Sequence, residues 1–593
     1  MKKNKKHFSI FELKKLWYHI QNRRRTQLFL LIFLMLFVSL TEIISISAVL
    51  PFLAALTNPE MLYDIAFIQP ILLKMGFTNS DQLPLPMTIV FIIAVVFAGL
   101  MRIVLLWTQT HFAYAIGADI SIRVYRSALY SPYIEQVSTN SSEFISGISH
   151  KTHLVVTQVI MPSLLIISST MILLAIFMTV IFIQPHAALT ILFSIGCIYG
   201  FVSFLSKKKL LEHSEKINHK SNLLIKALQE GFGGIRDVLI DGTQEVFCKI
   251  FRDSDLPLRK AQAEISIVGQ SPRFIVEALG VTILAIFAFY LSVRDGGIEK
   301  VIPILGVFVL AAQRLLPIFH QIYQSWTSII GCSALLKEIL FYLDKGLPKY
   351  LSQPLSGEIE FKNHIELRNV NFYYDANRES ILEDFSCKIK KGERVGLIGA
   401  TGSGKSTLVD IILGLLAPRA GGMYVDNKII LERNYRSWQK HISHVPQNIF
   451  LADTTISENI AFGVPTTDID YKLVHECARK AQIAETIDSW PFKYNTIVGE
   501  RGIRLSGGQK QRIGIARALY KKTDIIIFDE ATSALDDKTE LKVINSIFNL
   551  DENITILIIA HRLSTLKKCT QVIELVGGRV LQSGTYKEIV GKT

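Results

Sequence analysis

Cysteine is scarce throughout this 593-residue chain, and charge is scarce in its first half. The six cysteines, Cys197, Cys248, Cys332, Cys387, Cys477 and Cys569, are scattered and form no C-x-x-C pair. That spacing excludes a disulfide framework and a cysteine zinc site, and leaves reduced, structural thiols. Charged residues make up 19% of the chain, and before about position 330 they fall away in long stretches. Crossing a bilayer takes about 20 predominantly apolar residues. Six stretches answer to that description: 28–50, 87–107, 164–183, 187–205, 274–291 and 301–323. Six transmembrane helices are therefore expected, the third and fourth parted only by the turn Gln184-Pro185-His186. An even number of spans puts both ends of the chain on one side.

Basic residues are missing where the chain should face outward. The segment 57–86 holds only Lys74, and the turn at Gln184 holds no Lys or Arg. By contrast the first 25 residues carry Lys2, Lys3, Lys5, Lys6, Lys14, Lys15, Arg23, Arg24 and Arg25, and Lys207-Lys208-Lys209 follows the fourth span. The positive-inside rule puts the N-terminus, the long connections and everything after the sixth span in the cytoplasm. A basic cytoplasmic face against anionic lipid accounts for much of the net charge of +13, so no nucleic-acid partner is expected. The first apolar run is too long for a secretory signal and no clear cleavage site follows it. The stretch 8–19 has the amphipathic character of a segment lying on the membrane surface.

The expected organisation is a basic segment (1–27), a helical membrane domain (28–330), a linker (331–357) containing Pro348 and Pro354, and a soluble α/β domain (358–593). Helical periodicity carries the spans beyond the bilayer, as at 206–228, with short helices expected near 133–137 and 237–246. The soluble part opens with strand-like alternation at 359–361 and 365–371.

That part carries chemistry in a fixed order. Val395-Gly396-Leu397-Ile398 reads as a buried strand, and 407–415 as a helix. Between them runs Gly399-Ala400-Thr401-Gly402-Ser403-Gly404-Lys405-Ser406-Thr407, a G-x-x-x-x-G-K-S phosphate loop. Its glycines let backbone N–H groups close around phosphate oxygens, and the helix N-terminus adds its dipole. Lys405 is placed to reach the β- and γ-phosphates, and the Ser406 hydroxyl to ligate Mg²⁺. The all-apolar run 525–528 is a mid-sheet strand ending at Asp529, suited to the Mg²⁺ shell, and Glu530, suited to polarising an attacking water. A second apolar strand, 554–560, ends at His561, suited to the γ-phosphate. Gln447, after the strand 442–445, is suited to the metal or the water. Either Tyr374 or Tyr373 is placed to stack on a base. Ser506, Gly507, Gly508 and Gln509 precede the helix 511–520 and offer a capping hydroxyl and free amides to an anion.

These motifs resemble those of ABC transporter ATPase domains, and six spans followed by one such domain resemble a half-size ABC exporter. The resemblance implies an α-helical six-span transmembrane domain plus an α/β P-loop ATPase domain, using ATP and Mg²⁺. By position it makes Tyr374 the base-stacking residue, 399–407 the Walker A loop, Gln447 the Q-loop and 506–509 the signature. It likewise makes Asp529 and Glu530 the Walker B end, 533–536 the D-loop and His561 the switch histidine. The segment 496–502 resembles the exporter-specific loop that meets coupling helices. In that family the signature of one subunit closes over ATP held by the other. An intact motif set favours a homodimer, in a plasma membrane, the inner membrane of a bacterium.

The cargo is read from charges inside spans, which cost about 2.5 to 3.5 kcal/mol each on insertion scales. They are Glu42, Arg102, Arg273, Glu277 and Arg314. At about 1.5 Å per residue Arg314, Arg102 and Arg273 lie about 20, 24 and 28 Å from the outer ends of their spans. Three guanidiniums in the inner half suit a phosphate or pyrophosphate. Alternatively, Arg273 snorkels or pairs with Glu277, and Glu42 either faces the pathway or neutralises an arginine. The external stretch 61–75 is either an interfacial segment or part of a folded cap. The arginines, this loop and Gly234-Ile235-Arg236-Asp237-Val238 are similar to PglK-type flippases. That resemblance implies a cargo of oligosaccharide on polyprenyl pyrophosphate, held by the arginines and moved to the outer leaflet. A lipid A-like glycolipid or amphiphilic drug is the rival cargo, and an ATP-gated channel or sensor the rival activity. Peptide export is not expected, since no protease domain precedes the first span.

Overall fold

The computed structural model describes residues 10–57, 59–60, 79–138, 151–183, 185–294, 298–346, 359–374, 380–532, 535–560 and 562–589. The chain divides into two compact units, Met1–Ser131 with Thr139–Leu347, and Pro132–Ser138 with Pro348–Thr593.

The first unit is all helix. Its long elements are Asn22–Ser47, Pro84–Leu129, Met161–Ile183, Pro185–Gly233, Gln244–Arg294 and Ile298–Gly331. Five contain an expected span whole; the first ends at Ser47, short of the expected 50, and a separate helix starts at Val49. Among the described residues, three helices are long and apolar enough to cross a membrane: Asn22–Ser47, Ser80–Leu129 and Thr152–Thr179. The burial pattern suits lipid as the outer solvent. On the first, Phe29 and Phe33 are exposed, whereas Ser39, Thr41, Glu42 and Ser45 are buried. Polar atoms turn inward because hydrocarbon offers them no partners. Helices continue past bilayer length, reaching 49 residues in Pro185–Gly233 and 51 in Gln244–Arg294. At Gly117 a β-carbon would collide with Val156, so the second long helix passes the third without one.

Several local expectations change. The short helix expected at 237–246 is Ile235–Ile240, and the next helix starts at Gln244 because Gly242, at φ +63°, makes a turn between them. Residues assigned to the start of the linker form the helix Ser333–Asp344, which buries Leu335, Leu336, Ile339 and Leu340. The apolar spacing that makes it a core helix continues from the last span without a break in composition. The stretches 61–75 and 347–358 lie outside the described residues.

The second unit holds two sheets. The antiparallel sheet runs β2(Leu382–Lys390), β1(His364–Phe372), β4(Ala420–Val425), β5(Lys428–Ile429). The other, six-stranded, runs β10(Arg579–Gly584), β9(Gln571–Val576), β3(Arg394–Gly399), β8(Thr555–Ile559), β7(Ile525–Asp529), β6(Ile442–Val445). Residues 359–361 are not a strand; Ile359 and Phe361 are buried, and the Ile359 N–H donates to Ser437 Oγ at 3.0 Å. Except for the antiparallel β9–β10 edge, this sheet pairs in parallel, and its β7 is buried and apolar as a central parallel strand requires. Register then decides where the site lies. Leu397 and Asp529 both pair with Ile559, and Val445 with Phe528. The carboxyl ends of β3, β6, β7 and β8 thus reach one edge, the place where open parallel sheets bind ligands.

Candidate functional site

Beyond β3 the chain enters the glycine loop and emerges as the helix Lys405–Ile412, two residues before the expected start at Thr407. Gly404 is its N-cap at φ +100°, and a β-carbon there would press on the Ile381 carbonyl. Only glycine tolerates both demands. The Lys405 ammonium donates to the Gly399 and Ala400 carbonyls at 2.8 and 3.0 Å, folded across its own loop. Ser403 Oγ is buried without a partner, while Thr401, Gly402 and Ser406 are exposed and Thr407 is buried beneath them. An orphaned hydroxyl, a cation held only by carbonyls of its own loop and a helix N-terminus form a set of donors that fits a polyphosphate.

Opposite stand acceptors. Asp529 ends β7, and the next residue, Glu530, holds the left-handed backbone at φ +51° with its N–H donating to the Ile559 carbonyl at 3.1 Å. Such a backbone in a non-glycine residue costs about 1–3 kcal/mol and concentrates at functional sites. Gln447 Nε2 donates to Glu530 Oε2 at 2.6 Å, so two residues separated by 83 positions meet. The amide fixes the carboxylate at the strand ends. Asp410, which motif reading missed, lies on the helix after the loop. Burial, and then the charge of Asp529, push its pKa up to about 6. Acidic character within the apolar run Leu408–Ile412 was its only signal in the sequence. Asp529 with the Ser406 hydroxyl and the Gln447 amide is an oxygen-donor set suited to Mg²⁺. Among the described residues no preformed cluster of three or more His, Cys, Asp or Glu holds a metal; triphosphate oxygens would complete the shell.

Tyr373 has its ring under the Arg419 guanidinium at 5.4 Å. Tyr374 packs edge-on against Phe372 with centroids 5.1 Å apart and keeps 36% of its surface exposed. Tyr133, on the short helix Tyr133–Ser138, has its pKa raised by burial, then by the charges of Asp410 and Tyr374.

The signature helix is Gly507–Tyr520, starting four residues earlier than expected. Ser506 caps it: its Oγ accepts from the Gln509 N–H at 3.3 Å, and Gln509 Oε1 accepts from the Ser506 N–H at 2.8 Å. This reciprocal box starts the helix at the glycines. Ser506 and Gly507 lie exposed at its tip. Arg517 anchors the helix through the Asn459 and Phe450 carbonyls at 2.8 and 2.9 Å. In the segment 496–502, Gly499, Arg501 and Gly502 all have positive φ. His561 and residues 533–534 lie outside the described residues.

The membrane unit contains a second cluster. Glu42, on the first long helix and fully buried, pairs through one oxygen with Arg102 Nε and through the other with Arg314 Nη1 at 3.4 Å. Three helices thus meet at one carboxylate. Two guanidiniums against one carboxylate leave a positive charge in apolar surroundings. Arg102 and Arg314 line a cavity of about 250 Å³ with Gln109, Ser168, Ser169 and Gln321. Gln109 is 2% exposed and its Nε2 has no partner. Arg273 is not in this cluster. It pairs with Glu277 one turn along its own helix at 2.7 Å, with 57% of its side chain exposed. Of the alternatives open for Arg273, the structure shows the pairing with Glu277; depth orders residues along the membrane normal and says nothing about which faces meet.

Residues 382–533 match a family model described as ABC transporter. The chain is 31% identical over 405 residues to an ATP-dependent lipid A-core flippase of Burkholderia pseudomallei, covering 67% of this chain and 65% of that protein. It is 32% identical over 380 residues to the leptomycin B resistance protein pmd1 of Schizosaccharomyces pombe, covering 61% of this chain and 27% of that protein. The chain thus spans under two thirds of the length of these relatives. Its fold matches that of a bacterial Atm1-family ABC exporter solved with ATP bound, with TM-score 0.79 and 21% identity over 96% of each chain.

Proposed function

We propose that this chain, an ABC transporter ATP-binding domain carried on an ABC exporter fold, is half of a homodimer that hydrolyses MgATP to move an anionic amphiphile across the plasma membrane. Lys405 and the loop amides hold the phosphates and Tyr374 the base. Ser406, Asp529 and Gln447 hold Mg²⁺, which supplies charge neutralisation at the transferring phosphate. Glu530, oriented by Gln447, accepts the proton of the attacking water, and His561 contacts the γ-phosphate. Ser506–Gln509 of one copy cap the ATP of the other.

The cargo we favour is an oligosaccharide on polyprenyl pyrophosphate, taken from the cytoplasmic to the outer leaflet. The observation that carries this reading is the meeting of Arg102 and Arg314 at the buried Glu42, beside the partnerless Gln109 amide. Paired guanidiniums suit the fork geometry of phosphate oxygens, and two copies bring the cluster twice. A lipid A-like glycolipid is the second reading, favoured by the likeness to a lipid A-core flippase. A fluorescent polyprenyl-pyrophosphate oligosaccharide in proteoliposomes decides between them. The wild type should move it with ATP, whereas Arg102→Gln/Arg314→Gln should hydrolyse ATP at the basal rate without moving it. ATP hydrolysis with no movement by the wild type would transfer the proposal to lipid A-like cargo, and currents without matching hydrolysis would make the chain a channel.

A further inference from the structure

Below the arginine cluster, in sequence terms later along the sixth long helix, the membrane unit has a larger, half-open cavity of about 580 Å³. Its walls come from the third, fourth, fifth and sixth long helices. Among the described residues no Asp, Glu, Lys or Arg lines it; their polar lining is amide and hydroxyl, five glutamines and five serines or threonines. Apolar side chains such as Leu154, Ile217 and Ile265 fill the rest. Such a lining offers both donors and acceptors but no net charge, so it discriminates against ions and suits a neutral group that also donates and accepts.

Two further features show that the wall is shaped. Helical pitch changes at Val156–Ile160, a π-helical turn, and Thr157 and Gln158 on that turn line the cavity. Such turns are rare and recur at functional sites. Thr327, 2% exposed, also lines the cavity, its hydroxyl beside that of Tyr323, which donates to the Val268 carbonyl at 3.0 Å.

The cavity also adjoins the cationic one. Gln321 and Leu165 line both, and Gln321 Oε1 accepts from Ser169 Oγ at 3.0 Å on the arginine side. One molecule with an anion and a neutral polar portion would fill the pair. We propose that this charge-free cavity seats the neutral, hydroxyl-rich portion of the cargo, a glycan, while the anion of the same molecule lies against Arg102 and Arg314. The inference rests on the lipid-linked reading above and adds where the sugar is recognised.

The test compares polyprenyl pyrophosphate bearing a neutral oligosaccharide with the same lipid bearing no sugar, both in proteoliposomes. The variants are Thr327→Val, which keeps the shape, and Gln324→Leu/Gln158→Leu. Loss of one or two hydrogen bonds should raise the half-saturating concentration of the glycan-bearing lipid about tenfold and leave that of the bare lipid unchanged. An equal shift for both lipids, or a shift for neither, would overturn the assignment, the second outcome marking a cavity filled by solvent only. If the wild type moves neither lipid, the lipid-linked reading itself fails. A photoreactive neutral oligosaccharide then decides separately. Labelling of the helix segments around Gln158 and Gln324 supports the site, and labelling elsewhere removes it.

Discussion

The two units solve recognition in opposite ways. In the second unit each candidate functional group belongs to a short contiguous run, and backbone amides supply many of its donors. Gly399–Lys405 needs only a strand, a turn and a helix start to become a phosphate cradle, and parallel register then brings Asp529 and Val445 to the same edge. In the first unit the charged cluster joins Glu42, Arg102 and Arg314, from three different helices, through side chains alone. Local motifs survive in sequence as spacing, whereas a cluster set by helix packing survives only as isolated charges. The first kind of site is rigid wherever the strand ends are; the second depends on each helix keeping its rotation.

The largest effect expected separates chemistry from folding. Glu530→Gln should lower ATP turnover by about 10²- to 10⁴-fold, the range for loss of a general base, with nucleotide binding retained. Unchanged turnover would remove Glu530 from the role of base and leave its pairing with Gln447 a structural contact. In the membrane unit the corresponding substitution should act on stability. Glu42→Gln leaves two guanidiniums, 42% and 35% exposed, without their buried carboxylate, at a cost of about 1–3 kcal/mol. Thermal unfolding of the detergent-solubilised chain should show this, with partial recovery in Glu42→Gln/Arg314→Gln. A Glu42→Gln protein as stable as its parent would mean that lipid headgroups or water already solvate the arginines.

How legible each region was follows from the same contrast. The phosphate loop, the strand ending at Asp529 and the capped signature were readable because G-x-x-x-x-G-K-S, an apolar run and Ser-Gly-Gly each impose one local geometry. The helix starts were misplaced by two and four residues, since glycine signals a turn before it signals a first helical turn. Asp410 escaped notice because its role depends on Asp529, across the sheet edge. Apolar length was enough to place six long helices. Helical spacing offered the Arg273–Glu277 pair as one alternative, but apolar length could not show that Arg102 and Arg314 converge on Glu42.

Within the nucleotide-binding unit, acid should weaken a strand next to the site. His444 lies on β6 with Nε2 buried and unpartnered, and burial, then the charge of Lys521, lower its pKa to about 4. The folded state holds it neutral while the unfolded chain takes up a proton near pH 6.5. Its contribution is therefore complete above about pH 6.5 and disappears as the pH falls toward about 4, an effect of about 2–3 kcal/mol. Denaturant midpoints of the full chain measured across that window should decline, and His444→Gln should flatten the decline. An equally steep profile in the variant would assign acid sensitivity to other groups.

The smallest effect is the sharpest check on the membrane cluster. Arg273 is the arginine that depth alone would group with Arg102 and Arg314, yet its partner is four residues away and both side chains are largely open, 57% and 43%. Exposed i,i+4 pairs contribute little, so Arg273→Gln should leave the melting temperature within about a degree or two of the parent. Its effect on half-saturation by the lipid cargo should be smaller than that of Arg102→Gln or Arg314→Gln. If Arg273→Gln instead matched them in cargo binding, three arginines would share the anion after all. The cluster at Glu42 would then be one conformation of a site that Arg273 joins when the helices turn, and helix rotation rather than side-chain identity would set its affinity.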